Sequence, residues 1–196
     1  MNEIERLSAL QTDASAALAG FRRRAAEEGL LDVAYAELDS PLGPLTAYVT
    51  PRGLVRLAYD RADVDLPEVS ARVSPRVIEA PERTDEVRRE LDEYFAGRRQ
   101  HFDLAIDWAL VRGFAGSVLE ATSRIPFGSV SSYREVAAAA GSPNAYRAAG
   151  NALGSNPVPI VVPCHRVLHA GGGLGGYTGG LDRKRFLLHL EGVLPG

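Results

Sequence analysis

The sequence predicts an α+β chain: a small first domain of antiparallel strands plus a helix, followed by a second domain made mainly of short helices. Three observations predict it. Up to about residue 111, short apolar segments alternate with Pro/Gly turns, whereas from Gly113 onward helices of small residues are joined by Pro/Gly turns. The charge changes sign at the same place. The chain carries -3 overall, yet residues 112–196 hold eight basic against four acidic groups, which leaves residues 1–111 strongly acidic. Finally, 196 residues that are 45% hydrophobic and 24% charged suffice for a buried core and carry neither a disordered nor a fibrous bias. No apolar run approaches the roughly 20 residues that a membrane span needs. The opening MNEIERLSALQTDASAALAGFRRR lacks the basic-then-apolar layout of a secretory signal, so a cytoplasmic protein without a membrane partner is expected.

Ile4, Leu7, Leu10, Ala14, Leu18, Phe21 and Ala25 recur at helical spacing, which predicts an amphipathic packing helix over 3–28, ended by Gly29 and set apart as residues 1–30. In the first domain, 31–111, VAYAELDS and LTAYVT flank the Pro41-Leu42-Gly43-Pro44 turn, and LVRLAYD follows Pro51-Arg52-Gly53; these predict three short antiparallel strands. Segment 61–82 reads as a polar, proline-bearing loop. Thr84 can cap a helix running to about Ala96, with Val87, Leu91, Tyr94 and Phe95 on one face, before an extended FDLAIDWAL stretch. In the second domain, 112–196, a helix from Phe114 to Ser123 is closed by Ile125-Pro126-Phe127-Gly128. Ser131 or Ser132 can cap a second helix, Tyr133 to Ala140, and Gly141-Ser142-Pro143 turns the chain into a third, Asn144 to Leu153. This pair has helix-turn-helix proportions, and the local excess of basic charge suits a polyanion facing it. The apolar run Pro159-Ile160-Val161-Val162-Pro163 reads as a buried strand leading to the cysteine. A glycine-rich GGGLGGYTGG and a last helix, Asp182 to Glu191, complete the chain.

Cys164 is the single cysteine, so it forms no internal disulfide and supports no multi-cysteine zinc site; structural burial or reactivity remains. A reactive cysteine works as its thiolate, and His165 and Arg166 offer cationic neighbours within two residues. In an extended chain adjacent side chains point to opposite sides, so either the chain turns at Cys164 or something bridges it to His165. The nearby glycines suit close approach of backbone to a ligand. Gly171, Gly173 and Gly176 formally satisfy GxGxxG, but they close no strand-loop-helix unit, and no Walker lysine is present, so dinucleotide and nucleotide-phosphate binding are excluded. Tyr177 among the glycines offers a stacking surface for a flat ligand.

From about Gly113 to Gly192 the chain resembles the O6-alkylguanine-DNA alkyltransferases, also called methylated-DNA–protein-cysteine methyltransferases. The strings that carry the resemblance are Ile125-Pro126-Phe127-Gly128, Ser132-Tyr133, Arg147-Ala148-Ala149-Gly150, Gly154-Ser155-Asn156-Pro157-Val158-Pro159-Ile160, Pro163-Cys164-His165-Arg166-Val167, Gly176-Tyr177-Thr178-Gly179-Gly180 and Leu187 to Gly192. The Asp39-Ser40-Pro41-Leu42-Gly43-Pro44 turn resembles that family's first domain less specifically. The resemblance implies a winged-helix-like second domain and a cofactor-free repair protein that acts once and inactivates itself. Cys164 would take the alkyl group from O6 of guanine, less readily from O4 of thymine, and keep it. A stable thioether needs no hydrolytic machinery, and transfer from an ether carbon needs only a thiolate and stabilisation of the leaving purine.

By the same resemblance His165 is the base that takes the thiol proton through an ordered water, and Glu191 orients it. Tyr133 assists base extrusion and donates to the purine, while Asn156 ties the recognition helix to the cysteine turn. The carbonyls of Cys164 and Val167 accept from the guanine amino group. Tyr177, Thr178 and Gly179 line the alkyl pocket. Arg147 enters the base stack, and Ser132, Ala148 and Ala149 approach double-stranded DNA through the minor groove. A monomer without metal is implied. Tyr146 and Leu119 depart from the family pattern, in which a small residue and a tryptophan are common. The alternative is an alkylated-DNA damage sensor or alkylation-responsive regulator without efficient transfer; such sensors replace the cysteine.

Overall fold

The computed structural model describes residues 17, 20–22, 24, 25 and 28–195. The helix expected over 3–28 therefore lies mostly outside the described residues; the described positions from 17 to 25 are helical. Strands β1 (Val33–Leu38), β2 (Leu45–Thr50) and β3 (Gly53–Ala58) form the expected antiparallel meander, with Tyr35 opposite Tyr48 and Ala47 opposite Leu57. Because strand side chains alternate, the sheet has two faces. Val33, Tyr48 and Val55 pack with Val69, while Ala34, Ala36, Leu38, Leu45, Ala47, Leu54 and Leu57 belong to the larger core shared with the second domain.

Segment 61–82 is not a loop. It holds helix α1 (Ala62–Arg72) and β4 (Val77–Glu79), which pairs in parallel with β1 to give the order β3-β2-β1-β4. Pro67 lies inside α1, where proline removes a backbone donor, so local propensity argues against the helix. Tertiary contacts override it: Val69 is fully buried, and Arg56 of β3 forms ion pairs with Asp65 and Glu68. Helix α2 (Asp85–Phe95) follows, burying Val87, Leu91 and Tyr94 as expected. Thr84 occupies its N-cap, but its hydroxyl donates back to the Pro81 carbonyl instead of capping.

In the second domain α3 (Phe114–Ser123), α4 (Tyr133–Ala139), α5 (Tyr146–Gly154) and α6 (Leu181–Leu190) match the expected helices within two residues at most boundaries. Ser132 is the residue that caps α4. Its hydroxyl accepts from the Glu135 amide at 3.2 Å while the Glu135 carboxylate accepts from the Ser132 amide at 2.7 Å, a reciprocal capping box. The short parallel pair β5 (Ser131–Ser132) and β6 (Val167–Leu168) joins the start of α4 to the segment after the cysteine. A backbone bond from Leu57 to the Pro157 carbonyl, 2.8 Å, fastens the two domains. No helix among the described residues is long and apolar enough to cross a membrane.

Candidate active site

The run before Cys164 is not a strand. It is a tight loop in which the Val162 amide reaches the Val158 carbonyl at 2.9 Å and the buried Ile160 adopts φ 73°. A β-branched residue in that region is strained by about 1–3 kcal/mol, a conformation that persists only when packing imposes it. The loop delivers Cys164 to the start of a 3-10 turn, Cys164–Arg166, so the chain turns where adjacent side chains would otherwise diverge.

Cys164 is 6% exposed and forms part of the floor of a cavity of about 720 Å³, whose walls include Tyr133, Tyr177, Thr178, Tyr146 and Arg147. Asn156, just beyond α5, is the clamp of this loop. Its Nδ2 donates to the Val162 carbonyl at 2.9 Å and to Cys164 Sγ at 3.1 Å, and its Oδ1 accepts from the Val158 amide at 3.0 Å. Burial pushes the thiol up to about 11, against the Asn156 hydrogen bond, the nearby Lys184 ammonium and the amides of the cysteine turn. The resting group is therefore a neutral thiol with thiolate-stabilising donors already in place.

His165 is fully buried. Its Nε2 lies 2.9 Å from Glu191 Oε1, and Glu191 also accepts from Arg166 Nε and Nη2, each at 2.8 Å, and from the Tyr94 hydroxyl at 2.6 Å. Burial alone would raise the Glu191 carboxyl, but the hydrogen bonds from His165, Arg166 and Tyr94 hold it at about 2. With Glu191 ionised, His165 Nε2 carries its hydrogen toward the carboxylate, which leaves Nδ1 as the acceptor; that atom is buried without a described partner. Burial also lowers the imidazole, with Glu191 opposing, so His165 is neutral and competent to accept a proton at pH 7.

Tyr133 opens α4, and its ring centroid lies 5.2 Å from that of His169. Burial, and then the negative charge that Cys164 carries once ionised, raises the Tyr133 phenol above its ordinary value and keeps it a donor. Gly175, at φ 67°, lets the glycine-rich loop pass directly over that hydroxyl: a Cβ there would stand 2.6 Å from it. Tyr177 is held by a hydroxyl contact to Tyr59 of the first domain. Gly179 packs so closely that a Cβ would stand 2.6 Å from the Tyr59 ring. Thr178 ties the same loop to the end of α5 through the Gly154 carbonyl, 2.5 Å.

Several sequence expectations change. Ala149 is 0% exposed and packs in the core with Ala152 and Leu153, so the helical period turns it away from any groove; Arg147 and Ala148 lie on the exposed side. Ser132 keeps both expected places, since it caps α4 and lines the cavity. Val167 and Gly179 are not among the cavity's lining residues, and the Val167 carbonyl accepts from Lys184 Nζ at 2.7 Å, leaving its second lone pair. Arg166 does not serve the thiol, because its guanidinium is committed to Glu191 and the Ile125 carbonyl. The cation near the sulfur is Lys184, which burial pulls down to about 8. Sequence reasoning missed Lys184, Tyr94 and Tyr59: the first looks like a solvated helix lysine, and the others lie in the opposite domain. Leu119 is a buried core residue. Among the described residues no group of three or more His, Cys, Asp or Glu could hold a metal ion.

Two family models match this chain. One is described as 6-O-methylguanine DNA methyltransferase, ribonuclease-like domain, over residues 33–108, and the other as the DNA binding domain of 6-O-methylguanine DNA methyltransferase, over 113–193. A methylated-DNA–protein-cysteine methyltransferase of Methanosarcina barkeri is 45% identical over 106 residues, covering 54% of this chain and 66% of the relative. The protein of that name from Mycolicibacterium paratuberculosis is 51% identical over 104 residues, covering 52% and 61%. The chain thus spans less than two thirds of these two relatives. That of Methanosarcina acetivorans is 45% identical over 115 residues, covering 59% and 73%. Among solved structures, Mycobacterium tuberculosis OGT in complex with DNA gives a TM-score of 0.69 at 39% identity, covering 81% of this chain and 92% of that one. The O6-methylguanine-DNA methyltransferase of Pyrococcus kodakaraensis gives 0.57 at 28% identity, covering 82% and 99%.

Proposed function

The chain belongs to the 6-O-methylguanine DNA methyltransferase family, and from that membership we propose that it repairs double-stranded DNA by moving an alkyl group from O6 of guanine onto Cys164. O4 of thymine is the poorer substrate. One observation carries the proposal: the lone cysteine is buried yet reached by an open cavity, with hydrogen-bond donors and a proton acceptor arranged around its turn.

DNA approaches through its minor groove along α4 and α5. Arg147 enters the stack, and the damaged nucleotide rotates into the cavity. His165 Nδ1 takes the thiol proton through an ordered water, and Glu191 stabilises the imidazolium that forms. The sulfur attacks the alkyl carbon, an S–C bond forms as the C–O bond breaks, and the electron pair goes to the purine oxygen. Tyr133 supplies a hydrogen bond to the purine, whose anion takes up, by way of water, the one proton that the thiol gave to His165, and the nucleotide swings back into the duplex as ordinary guanine. Asn156 and the amides of the turn stabilise the thiolate on which the step depends. The thioether product is inert, so each molecule acts once.

The alternative, a sensor that only holds the flipped base, has no use for a cysteine with these partners. Incubation with an excess of duplex carrying O6-methylguanine distinguishes the two: lesion consumption stops at one equivalent per protein if transfer occurs. Continued turnover, or none, overturns the proposal.

A further inference from the structure

We propose that Tyr146 is a base-stacking residue at the mouth of the cavity, taking the face of a DNA base left exposed when its neighbour leaves the helix. The inference rests on the DNA-repair proposal above.

Tyr146 opens α5, one residue before Arg147, and the residue is 40% exposed. It stands where the family pattern favours a small residue, so it invites a view as an obstruction to groove binding. Its surroundings argue otherwise. The guanidinium carbons of Arg134, from α4, and Arg147 each lie 5.8 Å from the Tyr146 ring centroid. All three residues line the same cavity as Cys164. Neither arginine is seen in a hydrogen bond or ion pair with a described side chain. Exposed arginines elsewhere do find carboxylates, as Arg88 does with Asp85 and Arg185 with Asp182.

Cationic groups around one exposed aromatic ring form the combination that binds an unpaired nucleotide: a cation meets phosphate and the ring stacks on a base. A phosphate draws the Arg134 guanidinium outward, since a charge-assisted hydrogen bond to phosphate outcompetes an exposed cation–π contact, while Arg147 turns off the ring into the stack. The ring is then free for a base. Its place on the rim beside the cysteine cavity is where the stack is interrupted once a nucleotide has swung in. Tyrosine suits the task because its face is apolar while its hydroxyl tolerates water.

The test uses full-length chain carrying Cys164→Ser, so that no signal depends on transfer, and a duplex with 2-aminopurine beside O6-methylguanine. With Tyr146 or Tyr146→Phe the 2-aminopurine stays quenched on binding. With Tyr146→Ala its fluorescence rises and affinity falls at least about fivefold, the lower end of base–aromatic stacking. Equal or tighter binding by Tyr146→Ala, or a Phe variant that behaves like Ala, overturns the proposal. Should these differences hold while the unmodified chain takes up no methyl group, the transfer mechanism falls and the stacking role stands. If no variant binds the duplex, both fall.

Discussion

Cys164 combines two demands that oppose each other in a protein interior: a sulfur shielded from bulk water and a sulfur that can ionise. Burial wins in the resting state and places the thiol near 11, while Asn156 and the turn amides favour the anion once the proton has gone. Alkylation of the DNA-free protein by iodoacetamide should therefore rise roughly tenfold per pH unit between about pH 7 and 9, following the thiolate fraction. A rate already flat at pH 7 would show a pre-ionised thiolate instead. Glu191 makes the second residue-scale case. Its carboxyl sits at about 2 against an ordinary 4.5, so the stability it contributes is complete above about 4.5 and is lost as pH falls through about 2. Glu191→Gln leaves the buried Arg166 without its counter-charge. It should cost roughly 3 kcal/mol at pH 7 by thermal or denaturant unfolding, with the deficit shrinking in acid. An unchanged stability at pH 7 would argue against the pairing.

Elements were legible in the sequence where a local signal agreed with the tertiary fold. The Ser132 cap and the Pro/Gly-rich segments that bound α3, α4 and α6 placed those helices closely. Three stretches misled for a local reason. Pro67 disguised α1, the three residues of β4 are too few for a period, and five apolar residues before Cys164 look like a strand although their backbone bends at Ile160. On α5 the resemblance supplied neighbours without their faces, and only Arg147 and Ala148 of its Arg-Ala-Ala run reach the surface. Arg147 is exposed and lines the cavity, and the role proposed for it is on the duplex rather than on the sulfur. Arg147→Ala should slow methyl transfer from duplex by at least about tenfold more than it slows reaction with free O6-benzylguanine. Equal losses on both substrates would assign it to the alkyl pocket.

At the scale of the whole molecule, the first domain completes the site. Tyr94 donates to Glu191 across 97 residues of sequence, and Tyr59 meets Tyr177 across 118. No period or motif encodes such pairs, since they depend on how two domains pack, and this is why the cysteine was legible as the proposed nucleophile and its long-range contacts were not. The charge division between domains was legible, and the structure gives it a place: Arg134 and Arg147 flank the cavity on the second domain. DNA affinity should fall log-linearly with salt, and Arg134→Ala should lessen the slope by roughly one unit as one phosphate contact is lost. A slope unaffected by that change would remove Arg134 from the interface.

The central claim, that this sulfur is the permanent acceptor, is tested most directly by intact-mass and peptide-mass measurement after exposure to an O6-methylguanine duplex. The account predicts one added methyl per molecule, confined to the peptide holding Cys164 and lost in Cys164→Ser. A methyl group found elsewhere, or equal labelling of the serine variant, would contradict it.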